Sequence, residues 1–202
     1  MSVAHDHGGF GPYTAEDLHA REDEGRGLEL EDGWLIELSP SAPHNWAARQ
    51  IQEILQEAAA DANASAFIAG GAEWEISTPG GIRKPDIFAV PKSVARASII
   101  DRNPIVIPGI EVLLAVEVVF PGSGSERTDR VRKLKEYAAL GIPQYWLAEF
   151  VPSPSVQIFA LDMAAATYRR VRTVGAGSVV EAKVEADTTI TVRFDPQVLT
   201  EF

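Results

Sequence analysis

Three residues of this chain could act together on one substrate. Asp86 follows a proline in "KPDIFAV", Glu117 sits inside the apolar run "LLAVEVVF", and Lys133 lies in "TDRVRKLKEYAAL". Burying an unpaired carboxylate is costly or forces it to take up a proton. Two such acids on neighbouring strands would repel if both were ionised and dry, and the remedies are a shared proton or a shared cation. A hard divalent ion with oxygen ligands suits them, since magnesium takes one or two carboxylates and keeps several waters. The sequence therefore predicts that Asp86 and Glu117 share one Mg²⁺, with Mn²⁺ as a substitute. Beside a metal-bound water, the Lys133 ammonium could orient the nucleophile or stabilise negative charge on phosphorus.

Each residue also has a plainer reading. Asp86 could bond a local backbone N–H at a strand start, and Glu117 could be a buried acid paired with an arginine. Lys133 could be a solvated helix lysine.

Several elements must position these residues. "YTAEDLHARE" (13–22) predicts a short helix with Thr14 as its N-cap and Asp17 at the N3 place. "LELEDGWLIEL" (28–38) alternates around Asp32-Gly33, a hairpin signal. A helix follows, with Ser41 as cap, Pro43 in its first turn, and Ile51, Ile54, Leu55 and Ala58 on one face. Residues 72–77 and 82–90 read as the arms of a second hairpin around Pro79-Gly80-Gly81, and 91–108 as mostly loop with at most one helical turn. The run 111–120 has the pattern of a central strand covered on both faces. A helix from about Glu126 to Leu140 should bury Val131, Leu134 and Ala138, with Arg130, Lys133 and Tyr137 on the adjacent face. Gly141 and Pro143 end it. "QYWLAEF" and the alternating runs "VQIFAL", "TYRRVRTV" and "TTITVRF" complete a mixed sheet with helices packed against it, an α/β (α+β) class.

Composition bounds the possibilities. The 202 residues are 46% hydrophobic and 23% charged, which suits one domain over 13–202 after a flexible start at 1–12. There is no cysteine, which excludes disulfides, zinc-thiolate sites and cysteine nucleophiles. No apolar run approaches a membrane span, no secretory signal opens the chain, and a cytoplasmic location is expected. The net charge of −11 argues at first against nucleic acid. Yet residues 1–61 hold 13 acidic and 3 basic residues, against 16 and 15 in the remainder. The stretch "ERTDRVRKLK" (126–135) carries five basic and two acidic residues, so a basic face there is open to test.

Taken in order, "KPDIFAV", "VEVVFPGS" and "DRVRKLKEYAALGIPQYWL" resemble the Uma-type restriction endonuclease domain, a branch of the PD-(D/E)XK nuclease superfamily. The likeness extends over nearly the whole chain, from "YTAEDL" and "LELEDGWLIELSPSAPH" to the C-terminal strands. It implies a restriction-endonuclease-like fold and Mg²⁺-dependent hydrolysis of DNA phosphodiesters. A homodimer is plausible because cutting both strands of a duplex calls for two sites. The superfamily's usual lysine position, two residues after the second acid, holds Val119 here, and the resemblance moves that role to Lys133. It also offers the backbone carbonyl of Val118 as a metal ligand and Glu29 as a further site residue, although an exposed hairpin acid is the plainer reading of Glu29. His44 stands in a family-like place, and as a lone histidine before a helix it reads as a polar residue of the cap region. The alternative to an enzyme is a nuclease-like scaffold without activity that binds protein or nucleic acid.

Overall fold

The computed structural model describes residues 11–20, 27–38, 40–71 and 74–201. Most of the expected flexible start, with His5 and His7, lies outside them. The elements in order are α1 (Ala15–Ala20), β1 (Leu28–Glu31), β2 (Trp34–Glu37), α2 (Ala42–Asp61), β3 (Ala66–Gly70), β4 (Ile76–Thr78), β5 (Gly81–Arg83), β6 (Ile87–Pro91) and α3 (Lys92–Ile99). Then come β7 (Ile107–Pro108), β8 (Leu114–Val119), a π-helical turn (Thr128–Lys133), α4 (Leu134–Leu140), β9 (Gln144–Glu149), β10 (Ser155–Asp162), β11 (Thr167–Gly175), β12 (Val180–Glu185), β13 (Thr189–Phe194) and a 3₁₀ turn (Pro196–Thr200).

Local chemistry accounts for the element ends. The Thr14 hydroxyl accepts the Asp17 N–H (3.2 Å) while the Asp17 carboxylate accepts the Thr14 N–H (2.8 Å), a reciprocal box that starts α1. The Ser41 hydroxyl accepts the His44 N–H at the start of α2 (3.4 Å), and Ala47, Ile51, Leu55 and Ala59 form its buried stripe. Asp32 and Gly33 both have positive φ, 48° and 83°, as the tight turn between β1 and β2 requires.

A six-stranded mixed sheet, ordered β11-β10-β9-β8-β6-β3, runs through the centre. Its middle strand β8 is buried at all six positions. Strands β8 and β9 are parallel and joined through the π turn and α4, while the other pairs are antiparallel. One face packs on α2 and the β12–β13 hairpin through Ile51, Ile87, Val116, Trp146 and Val192. The other buries Phe88, Ala115, Val119, Tyr137, Tyr145 and Leu147. A smaller sheet, β2-β1-β5-β4-β7, lies alongside. This is a mixed α+β single domain with helices flanking its sheets.

Four expectations are corrected. The second hairpin is real, but its returning arm ends at Arg83. Residues 84–86 cross to the large sheet, where Ile87–Pro91 pairs with β3 and β8. Pro85 lacks the N–H that a continuous ladder would use, and the chain breaks there. Residues 91–108 contain the eight-residue helix α3, because Pro91 stands just before it (φ −55°, ψ 140°) and not within it. Two strands stand outside the expected set: β3, and β12, whose VEAKVE alternates buried and exposed residues.

The fourth correction concerns the helix after β8. Its first stretch is π-helical, and this wider turn rotates the buried stripe, so Val131 is 41% exposed while Asp129 and Lys133 are buried. No helix among the described residues is long and apolar enough to cross a membrane.

Candidate active site

The break at residues 84–86 places Asp86 at the mouth of β6. Cα partners in the β6–β8 ladder are Ile87–Val116, Phe88–Ala115 and Ala89–Leu114. Asp86 and Glu117 are the residues next beyond the last pair, on the side of Phe88 and Ala115 by the alternation of a strand, and the Asp86 charge acts on Glu117. The Asp86 Oδ2 takes over where the ladder ends: it accepts the Val118 N–H at 2.7 Å and lies 3.1 Å from Nε2 of His44, which α2 presents from its first turn. The bond Asp86 makes is therefore to a distant strand, not to a neighbouring amide. His44 is more than a cap-region residue, since its ring faces Asp86 while its Nδ1 is buried without a partner.

Glu117 is buried inside the sheet, and its Oε1 meets two donors. One is the Tyr137 hydroxyl at 3.1 Å and the other is Lys133 Nζ at 3.1 Å. Lys133 also lies 3.1 Å from Glu29 Oε1 and 3.3 Å from Asp129 Oδ1, so its ammonium sits among three carboxylates. Glu29 is 1% exposed, which corrects the reading of a surface hairpin acid. It also accepts the Lys84 N–H at 2.8 Å through Oε1 and faces Arg83 Nη1 at 3.3 Å through Oε2.

The structure thus gathers Asp86, Glu117, Val118, Lys133 and Glu29 at one place. It adds Asp129, which the sequence reading missed. Its spacing of four before Lys133 was a usable signal for an ion pair, but only the π turn carries both residues inward. The basic face expected from 126–135 is largely spent on local carboxylates. Arg130 pairs with Glu126 and Glu149, Arg132 with Glu31 and Asp32, and Lys133 is internal.

Electrostatics follow from this burial. Desolvation, then the neighbouring carboxylates Asp129, Asp86 and Glu29, push the Glu117 carboxyl well above its ordinary range in spite of Lys133. Burial and Asp86 raise Asp129 in the same way. For Lys133, burial alone would lower the pKa, but Glu117, Glu29 and Asp129 outweigh it and hold the ammonium well above the usual value. Lys133 therefore stands in the site as an ammonium group held by its three carboxylates. Burial opposes protonation of His44, and its hydrogen bond to Asp86 and that residue's charge reverse the balance upward.

These groups open onto a cleft of about 510 Å³ whose lining includes Ile36, Leu38, Ser41, His44, Phe120, Ser123 and Thr128. Four carboxylates line it (Glu37, Asp86, Glu117 and Asp129) against two ammonium groups (Lys84 and Lys133), with His44 alongside. Both ammonium groups also serve carboxylates outside the lining, Glu75 and Glu29. The cleft is therefore short of positive charge, and its donors are hard oxygens, the set that suits a divalent cation with retained waters. Among the described residues no group of three or more acidic or imidazole side chains forms a ready metal cage. A pair of carboxylates is the smaller requirement of Mg²⁺.

The mixed α+β fold thus carries a half-buried acid, Asp86, a buried one, Glu117, and a buried lysine, Lys133. A solved structure described as "a putative nuclease belonging to DUF820", from Anabaena variabilis, shares that fold. The match has a TM-score of 0.56 and 14% identity, and it covers 85% of this chain and 88% of that one. The family model Uma2, described as "Putative restriction endonuclease", matches residues 15–193, and the chain belongs to that family. No curated protein matches it.

Proposed function

We propose that this protein is a Mg²⁺-dependent endonuclease that hydrolyses DNA phosphodiester bonds. The observation that carries the reading is that Asp86 and Glu117, next beyond the last pair of the β6–β8 ladder, line one cleft that is short of positive charge. Family membership favours nuclease chemistry on nucleic acid. Asp86, Glu117 and the Val118 carbonyl would hold the cation, with Mn²⁺ able to replace it. When bound, such an ion lowers the pKa of its water and polarises a phosphoryl oxygen. The chain's own residues do the rest. His44 and the Val118 N–H fix the Asp86 carboxylate, while Tyr137 and Lys133 fix that of Glu117. The Lys133 ammonium places positive charge beside the site where negative charge grows on phosphorus. One copy suffices to nick a strand, and a homodimer would supply the second site for a duplex cut.

The test is nicking of supercoiled plasmid by purified protein in Mg²⁺. Wild type should nick, and Asp86→Asn should retain its melting temperature within a few degrees yet give no nicking. Equal nicking by the variant would reject the reading.

A second reading is a nuclease-like module that binds without cutting. The observation favouring it is that Lys133 is surrounded by three carboxylates, which occupies the donors a substrate would need. Titration calorimetry separates the two, because absent affinity for both Mg²⁺ and Mn²⁺ would favour the module.

A further inference from the structure

The cleft has an apolar side that the metal chemistry does not use. Phe120 is the first residue beyond β8, three positions after Glu117. It lines the cleft with 46% of its surface exposed, while its ring keeps contact with Phe150 at 5.8 Å between centroids. Across the hairpin register Ile36 stands opposite Glu29, and Trp34 stands opposite Glu31. The outer strand β2 therefore turns two exposed apolar side chains, 37% and 55% accessible, toward the same face as the acids that meet Lys133 and Arg83. Of these, Ile36 lines the cleft together with Phe120 and Leu38, which gives the cleft one apolar wall.

Cations point the same way by their scarcity. Proteins that grip duplex DNA neutralise many phosphates with lysine and arginine. Here the lining offers Lys84 and Lys133, both committed to carboxylates, and Arg132 nearby is held by Glu31 and Asp32. With the lining cations committed, the exposed aromatic face is the free contact left in the lining, and it can stack on a base only where that base is not already stacked in a duplex.

Resting on the nuclease reading, we propose that the substrate of this site is unpaired DNA, a single strand or a frayed or looped segment, with Phe120 as the platform for one base beside the scissile phosphate. The hydroxyls of Ser41, Ser123 and Thr128 line the same cleft and supply neutral donors for the backbone. Because the lining cations are already paired, the salt dependence should be shallower than for a groove lined with free lysines and arginines.

The experiment is fluorescence anisotropy of a labelled oligonucleotide and of the same sequence in a duplex. The full chain is titrated in Ca²⁺ after a gel shows the DNA intact. The single strand should bind at least roughly tenfold tighter than the duplex, as expected where stacking supplies the affinity. Phe120→Ala should weaken single-strand binding roughly 5- to 100-fold, the loss of one base–aromatic stack, with Phe120→Trp retaining it. A melting curve for each variant shows that the fold is kept. Equal or tighter duplex binding, no effect of Phe120→Ala, or no binding of either DNA would overturn the proposal. The nuclease reading is judged separately by plasmid nicking. If wild type nicks and Asp86→Asn does not, while Phe120→Ala binds the single strand normally, only the base platform is lost.

Discussion

Two buried cations stand near each other in this molecule and share a carboxylate. Lys133 lies among Glu29, Glu117 and Asp129. Arg83 lies among Glu29, Glu31 and Glu136, with Nη1–Glu31 at 2.6 Å and Nη2–Glu136 at 2.7 Å. Glu29 bridges them, one oxygen to each. Burial and partner type do not distinguish the two centres. Access and the size of the acid excess do, since three carboxylates face two cations around Arg83 while three face Lys133 alone.

The Arg83 centre is closed. Its planar guanidinium spends three nitrogens on fixed acceptors, Arg132 adds a second positive charge at Glu31, and Arg83 does not line the cleft. Burial would lower the Arg83 pKa, but Glu136, Glu29 and Glu31 raise it far above its usual value. The Lys133 centre opens on the cleft and has Asp86 beside it, so its acids exceed its cations. One centre ties β1 and β5 to α4, and the other faces the cleft where the proposed ion would sit. A buried ion pair is thus evidence of function only when it is unbalanced and reachable.

The contrast can be broken most severely at Arg83. Arg83→Met strands Glu29, Glu31 and Glu136 without their common partner and should destabilise the fold by about 3–5 kcal/mol. Chemical denaturation reads this, and added Mg²⁺ should not restore the loss. Lys133→Met should behave differently. It should reduce nicking roughly 10²–10³-fold, the scale for removing one fixed charge-stabilising donor, and its stability loss should be recovered in part by Mg²⁺. If Mg²⁺ recovers both variants equally, or neither, the two centres are not different in kind.

A smaller effect sharpens the comparison through pH. Glu117 and Asp129 have folded-state pKa values raised above their unfolded ones. Each therefore binds a proton more tightly in the native state, and the stability this gives is complete below the unfolded carboxyl range. It is lost as pH rises through the folded values, at about 1.4 kcal/mol per pH unit for each proton involved. Metal-free protein should lose unfolding free energy on going from pH 4.5 toward neutrality. Glu117→Gln should flatten that slope, and Mg²⁺ should flatten it in the wild type. An unchanged slope in both cases would mean that these acids are balanced without an ion.

Much of this site was legible in the sequence because its parts obey local rules. Glu117 stood out as a charge in an apolar strand, the cap of α2 was spelled by Ser41 and Pro43, and the positive-φ pair Asp32-Gly33 marked the hairpin that carries Glu29. What stayed hidden was set by long-range packing or by an uncommon helix. The pattern could not show that Arg83 and Asp86 serve different sheets, since "GIRKPDIFAV" reads as one strand until Pro85 is seen to break it. The π turn hid Asp129 and misplaced Val131, because an ordinary helical period of 3.6 residues was assumed there. His44 reached Asp86 across 42 positions, a pairing no local pattern signals.

The central claim is that Asp86 and Glu117 together hold one divalent ion. A crystal soaked in Mn²⁺ and measured near the manganese edge tests it directly. The account predicts a single strong anomalous peak within bonding distance of a carboxylate oxygen from each residue, and its loss in Asp86→Asn. A map with no peak between them, or an ion held only by Glu37 or Asp129 elsewhere in the cleft, would contradict it.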